Sequence, residues 1–517
     1  MDLTRPRFVL ALDRGTQAKI VNTMFEVAEL GHKVSAQEFE KAEPELRAEL
    51  LQAQFALKNQ NIPVIIVISG VDCAGKGEFV HRLNEWLDPH GVDTNAFWQS
   101  TDEERARPRF WRYWRALPAR GRIAVFFGSW YSDPILQRVF RETKSRKFDT
   151  ELDRIAFLEK MLMDDGALII KLWFHLGEKE QARRLKRLRR DPLTRDRVRP
   201  SDRKNLKYYD RFIKITERAV RRTDSAECPW QIIEATDKRY RELTAGKIIL
   251  EALQARLQQG AAPKPAATAE TPARPARSKR GKTVFDRVDL TQKLTEKRYR
   301  EELAEQQARL TRLTWEANAK QISTVAVFEG WDAAGKGSAI RRVTAAIDPR
   351  LFRIIPIAAP SDEERAHHYL WRFWRHLPRA GNVTIFDRSW YGRVLVERVE
   401  HFATPNQWQR AYLEINEFEE QLADSGIALA KFWIHISKDE QLRRFKEREK
   451  IDFKRYKITE EDWRNRKKWD SYLEAVNDMV AHTSTEFAPW TVVPGNDKYF
   501  ARVQIVKTVC DALERLL

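Results

Sequence analysis

The stretch "EGWDAAGKGSAIRR", residues 329–342, decides the fold. Gly330, Gly335 and Lys336 have the spacing of a phosphate-binding loop. The position that usually carries a magnesium-binding Ser or Thr is Gly337, and a carboxylate, Asp332, stands inside the loop instead. A β-rich run, "ISTVAVFEG", leads into the loop, and a helical pattern starts at the lysine. In that context backbone N–H groups converge on phosphate oxygens, and the helix start adds a favourable partial charge. The reading assigns phosphate contacts to Gly330, Ala333, Ala334, Gly335, Gly337 and Ser338, with Lys336 as a mobile cation. Asp332 is placed to supply the hard oxygen that a divalent cation needs, directly or through water.

The loop has a near copy, "SGVDCAGKGEFV", at 69–80. Asp332 and Asp72 are 260 residues apart, and the same offset relates Trp371 to Trp111, His435 to His175 and Lys498 to Lys238. The halves align without a gap from about Phe39/Tyr299 to Tyr240/Phe500. A repeat of this length is a whole domain. The reading gives an N-terminal domain over 1–259, a flexible Ala/Pro/basic linker over 260–282 and a C-terminal domain over 283–517.

Each half reads as a charged helix (roughly 36–59 and 296–319), then four β runs alternating with helical segments. In the C-terminal half the later runs are "VTIFDRSW", "IALAKFWIHIS" and "APWTVV". Alternation of this kind predicts a parallel α/β sheet flanked by helices, with ligands at the carboxyl ends of the strands.

"IFDRSWYGR", 385–393, places Asp387 at the end of a buried strand, as a second magnesium anchor. Arg388 and Arg393 beside it can clamp charge that builds on a transferring phosphoryl group. The first half departs here: Phe127 replaces Asp387, Gly128 replaces Arg388 and Asp133 replaces Arg393. A phenylalanine cannot hold a metal ion. One working site and one retired copy, still able to hold phosphate, is the expectation.

A basic region follows the third β run. Arg444 and Arg448 lie four apart on one helix face, and Lys454 and Lys457 come next. Residues 183–204 of the first half are more basic still. Both stretches read as lids that close over phosphate. Within "SDEERAHHYLWRFWRHLP", 361–378, Arg372 is directed to the site, Trp371 and Trp374 to the core, and His367 and His368 are ordinary polar positions.

The 517 residues carry a formal net charge of +18, which attracts polyanions. Three cysteines without C-x-x-C spacing argue against a disulfide framework and fit a reducing compartment. No secretory signal and no spanning-length apolar run is evident, so a cytoplasmic protein without membrane contact is expected. A nucleic-acid-binding protein is the non-enzyme alternative. It leaves Asp332 and Asp387 unexplained, because carboxylates repel phosphate unless a cation intervenes.

Taken together, G-x-D-x-A-G-K-G at 330–337, F-D-R-S-W-Y-G-R at 386–393, L-W-R at 370–372, the basic lid and A-P-W-x-x-V-P-x-x-D-K at 488–498 resemble the polyphosphate kinase 2 family. The tandem layout with a degenerate first copy resembles that family's two-domain form. The resemblance implies two P-loop kinase-like domains of the thymidylate-kinase-like type, magnesium as cofactor, inorganic polyphosphate as donor and AMP as acceptor, giving ADP. It implies that Asp332 and Asp387 hold metal, that Lys336, Arg388 and Arg393 stabilise the transferring group, and that Arg444 and Arg448 reach in from the lid. A polyphosphate-dependent nucleoside diphosphate kinase and an ATP-dependent nucleotide kinase remain alternatives. Quaternary structure stays open, a homo-oligomer included.

Overall fold

The computed structural model describes residues 24–198, 200–260, 283–450 and 460–517. Residues 261–282 of the expected linker, and Lys454 and Lys457 of the expected lid, lie outside the described residues.

Each half is a five-stranded parallel sheet. The first holds β1 (Val64–Gly70), β2 (Val92–Ala96), β3 (Ile123–Phe127), β4 (Leu168–His175) and β5 (Trp230–Glu234) in the order β2-β3-β1-β4-β5. The second holds β6 (Ser323–Gly330), β7 (Phe352–Pro356), β8 (Val383–Asp387), β9 (Ile427–His435) and β10 (Trp490–Pro494), in the order β7-β8-β6-β9-β10. The central strands are buried on both faces, as helix-covered parallel strands must be. All nine residues of β9 are buried.

The sequence shows four β runs per half, and the structure has five strands. The extra strand is the edge strand, β2 or β7. In both, only the first and fourth residues are partly covered and the rest are exposed. "VDTNA" carries no run of apolar positions, and the short "FRIIP", broken by Arg353 and Pro356, does not alternate as a half-buried strand would.

The first long helix of each half begins where its cap dictates. Ser35 accepts from the Glu38 amide while the Glu38 carboxylate accepts from the Ser35 amide, which starts the helix Ala36–Gln60. Thr295 caps the helix Glu296–Ala319. Each packs on the last helix of its own half, Lys238–Gln258 or Lys498–Glu514.

The halves pack on each other about a pseudo-two-fold relation. The Arg120 amide donates to the Ala366 carbonyl, and the Ala380 amide donates to the Ala106 carbonyl, each at 2.8 Å. Both members of the second pair are the 260-offset equivalents of the first. Between them the rings of Trp114 and Trp374 stack with centroids 5.6 Å apart and planes 12° apart. Arg410 donates to the Asp164 carbonyl at 2.7 Å and pairs with Asp165 at 3.3 Å. His368 is correspondingly buried, against Trp114 and 3.6 Å from Glu414, and is not the ordinary polar position its sequence context suggests.

Candidate active site

Register brings the two motifs of the C-terminal half together. In the β6–β8 pairing Phe328 stands opposite Asp387, so the phosphate loop and the end of β8 open on the same edge of the sheet. The loop needs its glycine at the start: Gly330 has φ +149, and a Cβ there would stand 2.7 Å from the Ile434 carbonyl oxygen. Ala333 takes a left-handed conformation (φ +62) and Gly335 another (φ +110), after which the helix Lys336–Thr344 begins. The first amides of a helix have no intrahelical acceptor, so this end is a cradle for an anion. Lys336 Nζ donates to the carbonyls of Gly330 (2.7 Å) and Trp331 (3.4 Å). Around Gly337 a Cβ would meet nothing within 4 Å, so the missing hydroxyl is not a steric necessity.

Asp332 is mostly covered, with 16% of its side chain exposed. Its Oδ2 accepts from Asn465 Nδ2 at 3.0 Å, and its Oδ1 lies 3.7 Å from Arg388 Nη2. Arg388 is half exposed and takes φ +66, the left-handed region that a non-glycine residue enters at a cost. The N-terminal copy has a glycine there, Gly128, at φ +76. Arg393 lies over the Tyr369 ring at 4.4 Å and pairs with Glu397 at 3.1 Å. Arg372 donates to the Ala358 carbonyl at 3.1 Å and pairs with Glu364 at 3.2 Å.

Arg444 has a different position from the one expected. It is buried, and donates to the carbonyls of Ala333 (3.1 Å), Ala334 (2.9 Å), Gly495 (2.6 Å) and Asn496 (2.9 Å). Its guanidinium thus grips the carbonyl side of the loop and ties it to the end of β10. Arg448, one turn on, is partly exposed. The Ser338 hydroxyl accepts from Arg502 Nε at 3.0 Å.

Three contributors escape the sequence reading. Asn465, in the short helix Glu460–Lys467, docks on Asp332; its signal is Asn205, 260 residues earlier, which donates to Asp72 at 2.9 Å. Glu329, the last but one residue of β6, is buried and accepts from Ser389 Oγ at 2.8 Å. Burial pushes its carboxyl above the ordinary range, and Lys336, Ser389 and Arg388 pull it back. Its signal is a carboxylate where the copy has Ser69. Glu419 lies beneath the turn after β8: it accepts from Trp390 Nε1 (3.0 Å) and Tyr391 Oη (2.7 Å) and pairs with the fully buried Lys431 at 2.7 Å. Two aromatic anchors and one buried ion pair therefore fix the residues that follow Asp387 and Arg388.

Magnesium needs one or two carboxylates and completes its shell with water and substrate phosphate. Asp332 and Asp387 suit it as hard oxygen donors at one sheet edge beside a phosphate cradle. Among the described residues no group of three acidic, His or Cys side chains makes a ready cage, so a cation here would rely on the substrate's oxygens.

The N-terminal loop keeps the same shape. Cys73 (φ +63) and Gly75 (φ +79) repeat the turn, and Lys76 Nζ donates to the carbonyls of Gly70 and Val71 at 2.7 Å. The space over it differs. A Cβ on Gly77 would meet the Phe127 ring at 3.9 Å, so the residue standing for Asp387 puts an apolar ring beside the loop.

Comparison with known proteins identifies the family. The chain matches the family described as "Polyphosphate kinase 2 (PPK2)" twice, over residues 33–261 and 293–516. It is 53% identical over 493 residues to the polyphosphate:AMP phosphotransferase of Pseudomonas aeruginosa, covering 95% of this chain and 99% of that one. It is 38% identical to the polyphosphate:AMP phosphotransferase of Acinetobacter johnsonii, covering 91% of this chain and 96% of that one. A crystal structure described as a polyphosphate kinase 2 from Pseudomonas aeruginosa PA01 superposes with a TM-score of 0.84 at 51% identity, over 95% of this chain and 99% of that one. Two matched domains and near full-length relatives lead to one assignment: the chain belongs to the polyphosphate kinase 2 family.

Proposed function

We propose that the protein transfers a phosphoryl group from inorganic polyphosphate to AMP, giving ADP, with magnesium, in the C-terminal half. The observation that carries this is the contrast between the copies. The loop backbone, its lysine and the Asn–Asp contact recur in both halves, but only the C-terminal half has Asp387 and Arg388 where the other has Phe127 and Gly128.

Phosphoryl transfer is chiefly positioning and charge neutralisation. The loop amides and Lys336 hold phosphate oxygens. Asp332 and Asp387 would hold the magnesium ion, which when bound neutralises and orients phosphate charge. Arg388 and Arg393 take up charge on the group in transit, Arg393 after leaving Glu397. Arg444 keeps the loop in shape, and Arg448 faces outward for a polymer. A donor that is a chain calls for a cationic track, which the +18 charge supports.

The test is ADP formation from AMP with magnesium and either polyphosphate or ATP as sole donor, repeated with a chelator and across a salt series. Turnover with polyphosphate alone, lost on chelation and falling steeply with salt, supports the proposal. Turnover with ATP alone, or a donor Michaelis constant indifferent to salt, overturns it. Phosphorylation of ADP but not AMP would move the protein to the nucleoside diphosphate alternative.

A further inference from the structure

The lid helices of the two halves begin alike and then part in charge. Glu178–Arg190 follows β4 as Lys438–Glu449 follows β9. Arg184 grips the first loop as Arg444 grips the second, donating to the carbonyls of Cys73 (3.1 Å) and Ala235 (3.0 Å). One turn later, Glu447 and Glu449 of the C-terminal half are replaced by Arg187 and Arg189.

From this we propose that the N-terminal half is a second, non-catalytic binding site for inorganic polyphosphate, centred on Lys186, Arg187, Arg189 and Arg190. The proposal rests on polyphosphate being the donor, as argued above. All four side chains are exposed, and none makes an ion pair among the described residues. Lys186 lies three and four residues from Arg189 and Arg190, and Arg187 three from Arg190, so these pairs are neighbours on the helix surface, where like charges repel unless an anion lies across them. On the helix Tyr209–Thr223 Lys214 stands for Glu474 and Arg218 for Asp478, although Arg218 is itself paired with Asp149. In the C-terminal half Asp478 neutralises Arg398 at 2.7 Å.

The pocket changed in the complementary sense. Phe127 and Ser69 remove the carboxylates of Asp387 and Glu329, while the anion cradle with Lys76 is kept. This half has lost Asp387 and Glu329 together with the arginines Arg388 and Arg393, keeps Asp72 and the loop cradle with its lysine, and has gained positive charge on the outer helix. No aromatic residue occurs between 178 and 204, so nucleic-acid bases find no stacking platform there, and a bare phosphate chain is the favoured occupant. A chain held at one half and consumed at the other is bound at two points, which raises its effective concentration at the catalytic loop. A short oligomer gains nothing from this.

The experiment is the double variant R187E/R189E, which installs the C-terminal copy's own residues at exposed positions. Long-chain polyphosphate and tripolyphosphate are compared as donors, and binding of fluorescently labelled long-chain polyphosphate and labelled single-stranded RNA is measured directly. The expected result is a rise of about tenfold in both the KM and the Kd for the long chain, a shallower salt dependence, and a tripolyphosphate KM changed by less than about twofold. Unchanged long-chain KM and Kd would overturn the proposal. So would an equal shift for both donors, which would mean that the helix merely adds to the field of the catalytic cleft. Loss of RNA binding with long-chain polyphosphate binding intact would overturn it in favour of nucleic acid. Because the binding assay needs no turnover, a wild-type protein that binds the chain without phosphorylating AMP would refute the proposed reaction and leave this site standing.

Discussion

Phe127 of the N-terminal half leans over Gly77, its ring 3.9 Å from where a Cβ would stand, and it holds the register position opposite Ile68 that Asp387 holds opposite Phe328. Two cuts across this relationship give opposite results. Asp387→Asn is expected to lower kcat by about three orders of magnitude on the proposed role of Asp387 in holding the metal and phosphoryl charge. Phe127→Ala is expected to leave turnover per folded molecule within about twofold. Steady-state rates of the two purified variants with AMP, polyphosphate and magnesium decide it.

Arg388 holds a left-handed backbone at φ +66, which costs an arginine more than a glycine. Arg388→Gly gives the residue that the copy already has at φ +76. The fold is expected to be unharmed or stabilised by up to about 1 kcal/mol, while activity drops by about two orders of magnitude. Thermal melting and kcat read on one preparation separate the two effects. A variant that is less stable and equally inactive would mean the arginine matters for folding.

The buried pairs Lys431–Glu419 and Lys171–Glu159 are equivalents, at 2.7 and 2.9 Å. Glu159 likewise accepts from Trp130 and Tyr131. Removing one carboxylate leaves an unpaired buried ammonium, so Glu419→Gln and Glu159→Gln should each cost about 3 kcal/mol in denaturant unfolding. Only Glu419→Gln should also lower kcat, since only its turn carries Asp387 and Arg388. Equal kcat losses in both would show that the effect is global.

His435 makes a pH prediction. Its Nδ1 accepts from Trp331 Nε1 (3.3 Å) and Trp433 Nε1 (3.4 Å), and Phe285 stacks on its ring at 4.7 Å. Burial lowers its pKa to about 4, while an unfolded histidine titrates near ~6.5. Between these values the unfolded chain binds the extra proton. The contribution is therefore complete above about pH 6.5 and is lost as pH falls towards 4, amounting to about 3 kcal/mol across the window. His435→Gln, which keeps an acceptor for the two indoles, should narrow the gap in Tm between pH 7 and pH 5. An unchanged gap would mean that other groups set the acid limit.

Much of this architecture is legible in the residues because it is local or repeated. The loop announces itself by Gly330, Gly335 and Lys336, and the offset that pairs Asp332 with Asp72 exposes the duplication. Asp387 stands out because a carboxylate closes the apolar run "VTIF" where the copy has Phe127. The edge strands escape because they are short and mostly exposed, so burial imposes no alternation on their residues. Arg444 misleads because a basic helix looks the same whether its arginine faces phosphate or carbonyl oxygen; only the fold brings Ala333 and Gly495 to one guanidinium. His368 and Arg410 escape because their partners lie in the other half, across a seam with no trace in local composition.

The reciprocal bonds of that seam, Arg120 to Ala366 and Ala380 to Ala106, run through the main chain. They survive almost any exchange of side chains. A tethered neighbour of this kind never dissociates on dilution and never waits for a second molecule to be synthesised. Its assembly is first order, and it is inherited as a unit. Because the pairing runs through the main chain, the side chains at the seam are free to diverge, as Arg120 and its equivalent Ala380 already have.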